Sequence, residues 1–234
     1  MCIRDSCSNG AAVGLITGLG GVPAAGGAWG GPSPVVGGNY DPATMTAGVY
    51  TYTVNGVAPC ANATATVTVT ENAATNAGTN GTLTLCSSDA STSLFAQLGG
   101  TPQAGGTWSG PSPVVGGNYD PATMTAGVYT YTVNGVAPCA NATATVTVTE
   151  NAAPNAGTNG SLTLCSNGAA VGLITGLGGV PAAGGAWGGP SPVVGGNYDP
   201  ATMTAGGYTY PVNRVAPCAN APATLSGHEH AATT

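Results

Sequence analysis

The sequence predicts an all-β protein built as a tandem array of three small β-sandwich modules. A period of 79 residues separates successive members of three residue sets, and the stretch 31–74 recurs letter for letter as 110–153. Short segments of alternating polar and apolar residues indicate half-buried strands. Glycine and proline, 40 and 18 of 234 residues, punctuate these segments, and no long helical pattern interrupts them. Repeats of this length form arrays. The three sets are Cys7, Cys86 and Cys165; Cys60, Cys139 and Cys218; and Trp29, Trp108 and Trp187.

Three strands of the second repeat follow from period-two alternation. Residues 82–85, 129–133 and 142–149 each alternate polar with apolar side chains, so Leu, Tyr, Ala and Val should face the core and Thr the solvent. Asn134-Gly135 and Pro138 mark the turn between the last two strands. A short segment around Trp108 is flanked by glycines.

The period divides the chain into module 1 (7–72), module 2 (73–151) and module 3 (152–234). Residues 1–6, MCIRDS, have no counterpart in the other repeats and look like the translation of a sequencing-library adapter. Module 1 would then begin at Cys7, truncated, without a strand equivalent to 82–85. The third repeat diverges after Gly207, either because a sequence read decays there or because a terminal capping repeat differs from its siblings.

Seven cysteines become six, two per repeat, once Cys2 is assigned to the adapter. A fixed pair without C-x-x-C spacing favours one disulfide per module and an oxidising compartment; buried free thiols in a cytosolic protein are the alternative. The competing disulfide, Cys60 with Cys86, would join neighbouring modules. We predict the intramodule pairs Cys7–Cys60, Cys86–Cys139 and Cys165–Cys218.

Two details specify an immunoglobulin-like sandwich. The order Cys86, Trp108, Cys139 matches the Cys-Trp-Cys order of such domains, although the second Cys is displaced into the turn after strand F. The stretch 126–129, Ala-Gly-Val-Tyr, resembles a tyrosine corner. If Cys86 ends strand B, it shares one end of the sandwich with the F–G turn. The predicted corner residues are Tyr50, Tyr129 and Tyr208.

Three motifs of the repeat resemble a known family. GGTPxAGGTWSGP, NYDPAT and AGVYTYTVNGVAPCANATATVTVT are similar to the Ig-like (PKD-like) tandem repeats of very large surface proteins from gliding and related Bacteroidota. The resemblance covers Cys7 to about Thr224. It implies a secreted cell-surface protein, an adhesin or its stalk, in bacteria with gliding motility.

Charge and side-chain chemistry exclude several function classes. Both arginines and both histidines lie near the chain ends, so the intact repeats lack the basic surface that nucleic acid or an anionic membrane requires. Serine and threonine have no histidine or lysine to activate them, so we expect neither an enzyme nor a cofactor. His228-Glu229-His230 lacks a third metal ligand, and Asp41 and its equivalents, which precede proline, are typical of turns rather than calcium sites.

Two functions remain. The modules are spacers that project an adhesive tip and contact mainly neighbouring repeats, or they bind extracellular glycans multivalently, with Trp29, Trp108 and Trp187 stacking on sugar rings. The burial of tryptophan distinguishes them. The spacer hypothesis predicts Trp108 in the core beside a Cys86–Cys139 bridge.

Overall fold

The computed structural model of the chain describes residues 2–231, which form seventeen strands and three short 3₁₀ helices. The helices are Leu15–Gly18, Phe95–Gln97 and Leu173–Gly176. The first six strands are β1 Cys2–Cys7, β2 Val13–Gly14, β3 Ala28–Gly30, β4 Asn39–Tyr40, β5 Gly48–Val54 and β6 Ala63–Asn72. The next six are β7 Gly81–Cys86, β8 Thr92–Ser93, β9 Thr107–Ser109, β10 Asn118–Tyr119, β11 Gly127–Val133 and β12 Ala142–Asn151. The last five are β13 Gly160–Cys165, β14 Val171–Gly172, β15 Asn197–Tyr198, β16 Gly206–Val212 and β17 Ala221–His230.

Each module combines a larger sheet with a two-stranded one. The larger sheets have the orders β1-β6-β5-β3, β7-β12-β11-β9 and β13-β17-β16, and the small sheets pair β2 with β4, β8 with β10, and β14 with β15. In module 3 the segment after Trp187 joins its sheet through one bridge, Gly188 to Thr209. The predicted fold class, three immunoglobulin-like β-sandwich modules in tandem, is confirmed.

The first strand runs parallel to the last strand of its module. β1 pairs with β6 from Cys2 opposite Val67 to Cys7 opposite Asn72, and β13 pairs with β17 in the same way. The last two strands are antiparallel, with Tyr50 opposite Val67. The parallel edge strand therefore ends beside the C-terminal end of the last strand, which fixes where its cysteine lies.

Clustering of contacts divides the chain into two compact units. One contains Met1–Gly81, Ala96–Gly110 and Tyr129–Val146; the other contains Thr82–Phe95, Pro111–Val128 and Thr147–Thr234. Each unit therefore combines one terminal repeat with parts of the middle one. The junctions described below each lie inside a single unit.

Tyrosine supplies much of the core. In β11 and β12 the buried side chains alternate with threonines that are less buried, as the period-two pattern predicts. The module 1 core contains Leu15, Leu19, Tyr40, Tyr50, Tyr52, Val67 and Val69. The module 3 core contains Ala156, Leu173, Leu177, Tyr198, Tyr208, Tyr210, Val212, Ala223 and Leu225.

The expectation that module 1 lacks its first strand is wrong, because Cys2–Cys7 forms β1 at the edge of the sheet. Pairing at an edge uses backbone groups and places few demands on side chains. Two polar side chains of β1 also find partners: Arg4 Nη1 donates to Thr17 Oγ1 at 2.8 Å, and Asp5 accepts a hydrogen bond from Thr70.

The divergent end of module 3 keeps the full last strand. β17 spans ten residues, as β6 does, and pairs with β16 from Gly206 opposite Gly227 to Val212 opposite Ala221. Leu225 lies where Val67 lies in module 1, and both are fully buried. The divergence thus preserves the inward apolar positions that the strand needs.

Candidate functional site at the module junctions

Two disulfides join neighbouring modules. Cys7 of module 1 bonds to Cys139 of module 2 with an S–S distance of 1.97 Å and a Cα–Cα distance of 5.0 Å. Cys86 of module 2 bonds to Cys218 of module 3 with distances of 2.06 and 4.8 Å. Both bridges span 132 residues, so one geometry is used twice.

The intramodule pairing predicted from the sequence is therefore wrong for all three modules, and so is the competing Cys60–Cys86 pair. Cys60 and Cys165, counted among the structural disulfide cysteines, are free and exposed. The error lies in the assignment of the first strand. A cysteine ending an antiparallel strand B would reach the F–G turn, whereas the first strand is parallel to the last.

The two cysteines of one module lie at opposite ends of its last strand. Cys7 is opposite Asn72, the final residue of β6, whereas Cys60 precedes the start of β6 at Ala63. Ten residues of extended strand span about 30 Å, far more than the 4.4–6.8 Å that bridged Cα atoms typically show. Cys7 instead meets the β11–β12 turn of the next module, where Cys139 Sγ lies 3.4 Å from the Asn72 carbonyl oxygen.

Hydrogen bonds reinforce the first junction. Asn72 Nδ2 donates to the Ala137 carbonyl at 2.8 Å, and Thr75 Oγ1 donates to the Ala140 carbonyl at 2.8 Å. Both acceptors belong to the turn that carries Cys139. The junction therefore consists of a strand end, a linker and a partner turn, joined covalently and by polar contacts.

The second junction repeats this arrangement with one difference. Asn151 Nδ2 donates to the Ala216 carbonyl at 2.7 Å, beside Cys218. Pro154 occupies the position of Thr75 and has no hydroxyl to donate. The disulfide and the asparagine contact are thus the constant parts of the junction.

The tryptophans stack on tyrosines of the F strand. Trp29 and Tyr52, and likewise Trp108 and Tyr131, have ring centroids 5.0 Å apart. All three tryptophans, including Trp187, are half-buried. The expected packing of Trp108 against a Cys86–Cys139 bridge is wrong, because that bridge does not form and the indole lies on Tyr131.

The glycines around each tryptophan make room for tyrosine rings. A Cβ on Gly106 would lie 2.5 Å from the Tyr131 ring, and one on Gly110 would lie 2.3 Å from the Tyr129 ring. The Gly106 N–H donates to the Tyr131 hydroxyl at 2.8 Å, and that hydroxyl donates to the Gln103 carbonyl at 2.7 Å. The motif GGTWSG is therefore a seat for two core tyrosines.

An open groove borders the tryptophan of module 3. Its volume is about 550 Å³, and Trp187, Ile174, Val193, Asn197 and Tyr210 contribute to its lining. It combines an aromatic side chain with a polar amide, a combination that suits a small polar ligand with an apolar face.

The predicted tyrosine-corner residues are buried at the start of the F strand. The Tyr50 hydroxyl donates to the Thr46 carbonyl at 2.7 Å, and the Tyr208 hydroxyl donates to the Thr204 carbonyl at 2.7 Å. A hydroxyl that bonds to the backbone a few residues upstream defines such a corner. Tyr129 is fully buried at the equivalent position.

A second set of tyrosines pairs with glutamates. The Tyr40 hydroxyl donates to Glu71 Oε2 at 2.7 Å, and Tyr198 donates to Glu229. Burial of the phenol, followed by the hydrogen bond and the negative charge of the glutamate, raises the pKa of Tyr40 and of Tyr198 well above the ordinary value. The module 2 pair, Tyr119 with Glu150, has an oxygen–oxygen distance of 2.8 Å.

The remaining acidic and basic side chains serve structure. Asp41 accepts hydrogen bonds from the Ala43 N–H at 3.0 Å and the Thr44 hydroxyl at 3.2 Å, which confirms its predicted role in a turn. Asp120 and Asp199 make the same contacts in their modules. No group of three or more metal-ligating side chains occurs within residues 2–231, and nothing in that range indicates catalysis. The described helices are all too short to cross a membrane.

The chain was compared with known proteins. No family model matches the sequence, and a search of curated proteins found no match. Among solved structures, a three-immunoglobulin structure of titin domains in an E-to-A mutated variant is 13% identical, covers 98% of this chain and 96% of its own, and has a TM-score of 0.48. An I-band fragment of titin is 12% identical over 79% and 75%, with a TM-score of 0.45. The insect immune protein hemolin is 12% identical over 79% and 56%, with a TM-score of 0.41.

Proposed function

We propose that the chain is a non-catalytic extracellular segment of a bacterial surface protein and acts as the stalk or spacer of an adhesin. The observation that carries this proposal is a disulfide across each of the two junctions. Disulfides persist in oxidising compartments, which fits the cell surface. The repeat motifs that resemble Bacteroidota surface proteins support the same location.

The bridges give the chain a short covalent path for tension. A pulling force applied at the ends passes through residues 1–7, crosses Cys7–Cys139, follows 139 back to 86, and crosses Cys86–Cys218 to the C-terminal end. That path contains about 75 residues and can extend to about 260 Å, whereas 234 residues without bridges extend to about 820 Å. A spacer of this kind keeps its tip within reach of the cell even when modules unfold.

Single-molecule force spectroscopy tests this role. We expect the oxidised chain to stop extending near about 260 Å and the reduced, alkylated chain to reach about 820 Å. Replacing Cys7 and Cys139 by serine should give about 350 Å, because one bridge remains. The matched control replaces the free Cys60 and Cys165 by serine and should behave as the unaltered chain. An oxidised chain that extends as far as the reduced one would contradict the load-bearing role.

Multivalent glycan binding is the second candidate, favoured by the groove beside the half-buried Trp187. Aromatic rings can pack against the apolar face of a sugar while Asn197 offers hydrogen bonds. A glycan array probed with the chain and with Trp187→Ala separates the candidates. The glycan hypothesis predicts binding that the variant loses while its melting temperature stays nearly unchanged. The spacer proposal predicts no binding by either protein and a lower melting temperature for the variant, because Trp187 packs on Tyr210.

A further inference from the structure

The cysteines follow one pairing rule that leaves two of them unused. A cysteine at the end of a first strand bonds to the cysteine 132 residues later, in the F–G turn of the next module. The positions that this spacing assigns to partners of Cys60 and Cys165 lie outside residues 1–234. The four bonded cysteines are buried, whereas Cys60 and Cys165 are exposed. The two free thiols are therefore the two complementary halves of a junction.

The half that carries Cys165 is already formed. Cys165 lies opposite His230 at the end of β13, as Cys7 lies opposite Asn72. The Ser166 N–H donates to the His230 carbonyl at 2.9 Å, which matches the 3.0 Å contact from the Ser8 N–H to Asn72. Histidine at the asparagine position keeps an N–H donor for a partner carbonyl.

The half that carries Cys60 has the same turn as its bonded equivalents. The Cys60 N–H donates to the Val57 carbonyl at 2.9 Å, as the Cys139 N–H donates to Val136 at 2.9 Å. Val57 is 84% exposed, compared with 68% for Val136 in a turn that is joined to a neighbouring module. The turn is thus preformed, and its surface lacks the cover that a preceding module gives to Cys139.

We infer that Cys165 of one copy of this chain bonds to Cys60 of a second copy and so builds a third junction of the same kind. This inference rests on the junction geometry and goes beyond the spacer role. The contact uses different surfaces on the two copies, so it adds copies head to tail and does not close on itself after two. The partner is therefore another module of this array, recognised by its β5–β6 turn.

The bond forms by thiol–disulfide exchange with an oxidant such as oxidised glutathione. The Cys165 thiolate attacks one glutathione sulfur, forms a mixed disulfide and releases one glutathione thiolate. The Cys60 thiolate of the second copy then attacks the Cys165 sulfur and releases the second glutathione. Two protein thiols are oxidised, and one glutathione disulfide is reduced to two thiols.

A mixing experiment tests the inference. Two full-length proteins carry Cys2→Ser to remove that thiol; one also carries Cys60→Ser and the other Cys165→Ser. In a glutathione redox buffer, we expect the mixture to form a covalent dimer at least about tenfold faster than either protein alone, a preference that corresponds to about 1.4 kcal/mol. Peptide mapping should find Cys60 bonded to Cys165 and the Cys7–Cys139 bridge intact.

A third protein supplies the background rate of collision between exposed thiols. It carries Cys2→Ser, Cys60→Ser, Cys165→Ser and Val180→Cys, because Val180 is 83% exposed. Mixed with either single-thiol protein, it should form dimers at the slow rate. Equal rates for the complementary pair and this control, no dimer at all, or a predominance of Cys60–Cys60 or Cys165–Cys165 bonds would each overturn the inference. None of these outcomes bears on the extension of single chains under force.

Discussion

At the scale of single residues, tyrosine and glycine do the work that large aliphatic side chains do in other cores. Tyr129 and Tyr131 are buried, and Gly110 and Gly106 lie against their rings. Tyrosine brings a hydroxyl into the core, and each such hydroxyl needs a partner. The alternation in the sequence predicts that these tyrosines face inward. It does not reveal that the glycines beside Trp108 serve them, because that contact joins segments distant in sequence.

The buried Tyr40 and Tyr198 predict that stability falls in alkali. Their pKa values in the folded chain lie above the ordinary value near 10. Below about pH 10 both states keep these protons, and the stabilisation is fully present; above it the unfolded chain loses protons that the fold retains, so the free energy of unfolding decreases. Denaturant titrations at a series of pH values, with Cys60 and Cys165 alkylated, measure this loss.

The matched control for the alkaline titration is the double variant Tyr40→Phe with Tyr198→Phe. Its free energy of unfolding should depend less on pH above about pH 10, because phenylalanine has no proton to lose. Ultraviolet absorbance should show tyrosines that ionise only when the unaltered chain unfolds. Ionisation of every tyrosine in the native state would contradict their burial.

At the scale of elements, the period-two pattern predicts β7, β11 and β12 but not the direction of the first strand. Parallel and antiparallel strands both alternate polar and apolar residues, so residues 82–85 carry no sign of which neighbour they pair with. The direction decides where Cys86 lies. One undetected property of one strand therefore accounts for the wrong disulfide pairing, although four of the six predicted cysteines do form bridges.

The presence of β1 predicts uniform protection of β6 against hydrogen exchange. β6 lies between β1 and β5, so its backbone N–H groups are bonded on both sides. We expect amide exchange in β6 to be as slow as in β12, which lies between β7 and β11. Mass spectrometry or NMR measures the rates, and a variant lacking residues 2–6 is the control in which alternate β6 amides should exchange faster. Fast exchange at alternate β6 positions in the full chain would contradict the pairing of Cys2–Cys7.

At the scale of the whole molecule, each bridge makes one module depend on the next. A disulfide that closes 132 residues contributes about 5 kcal/mol in the loop-entropy model, a large share of the 5–15 kcal/mol typical of a domain. The period of 79 residues predicts that the cysteines act in equivalent ways. It cannot tell pairing within a module from pairing between modules, since both keep the period.

Cleavage at methionine under non-reducing conditions tests the junction bridges most directly. After alkylation of free thiols, cyanogen bromide cuts behind Met45, Met124 and Met203 and leaves fragments 1–45, 46–124, 125–203 and 204–234. The bridges Cys7–Cys139 and Cys86–Cys218 predict two separate disulfide-linked products, 1–45 with 125–203 and 46–124 with 204–234. Bridges within each module would instead hold all four fragments in one species. Mass spectrometry distinguishes the two results, and recovery of the single four-fragment species would contradict the stapling of neighbouring modules.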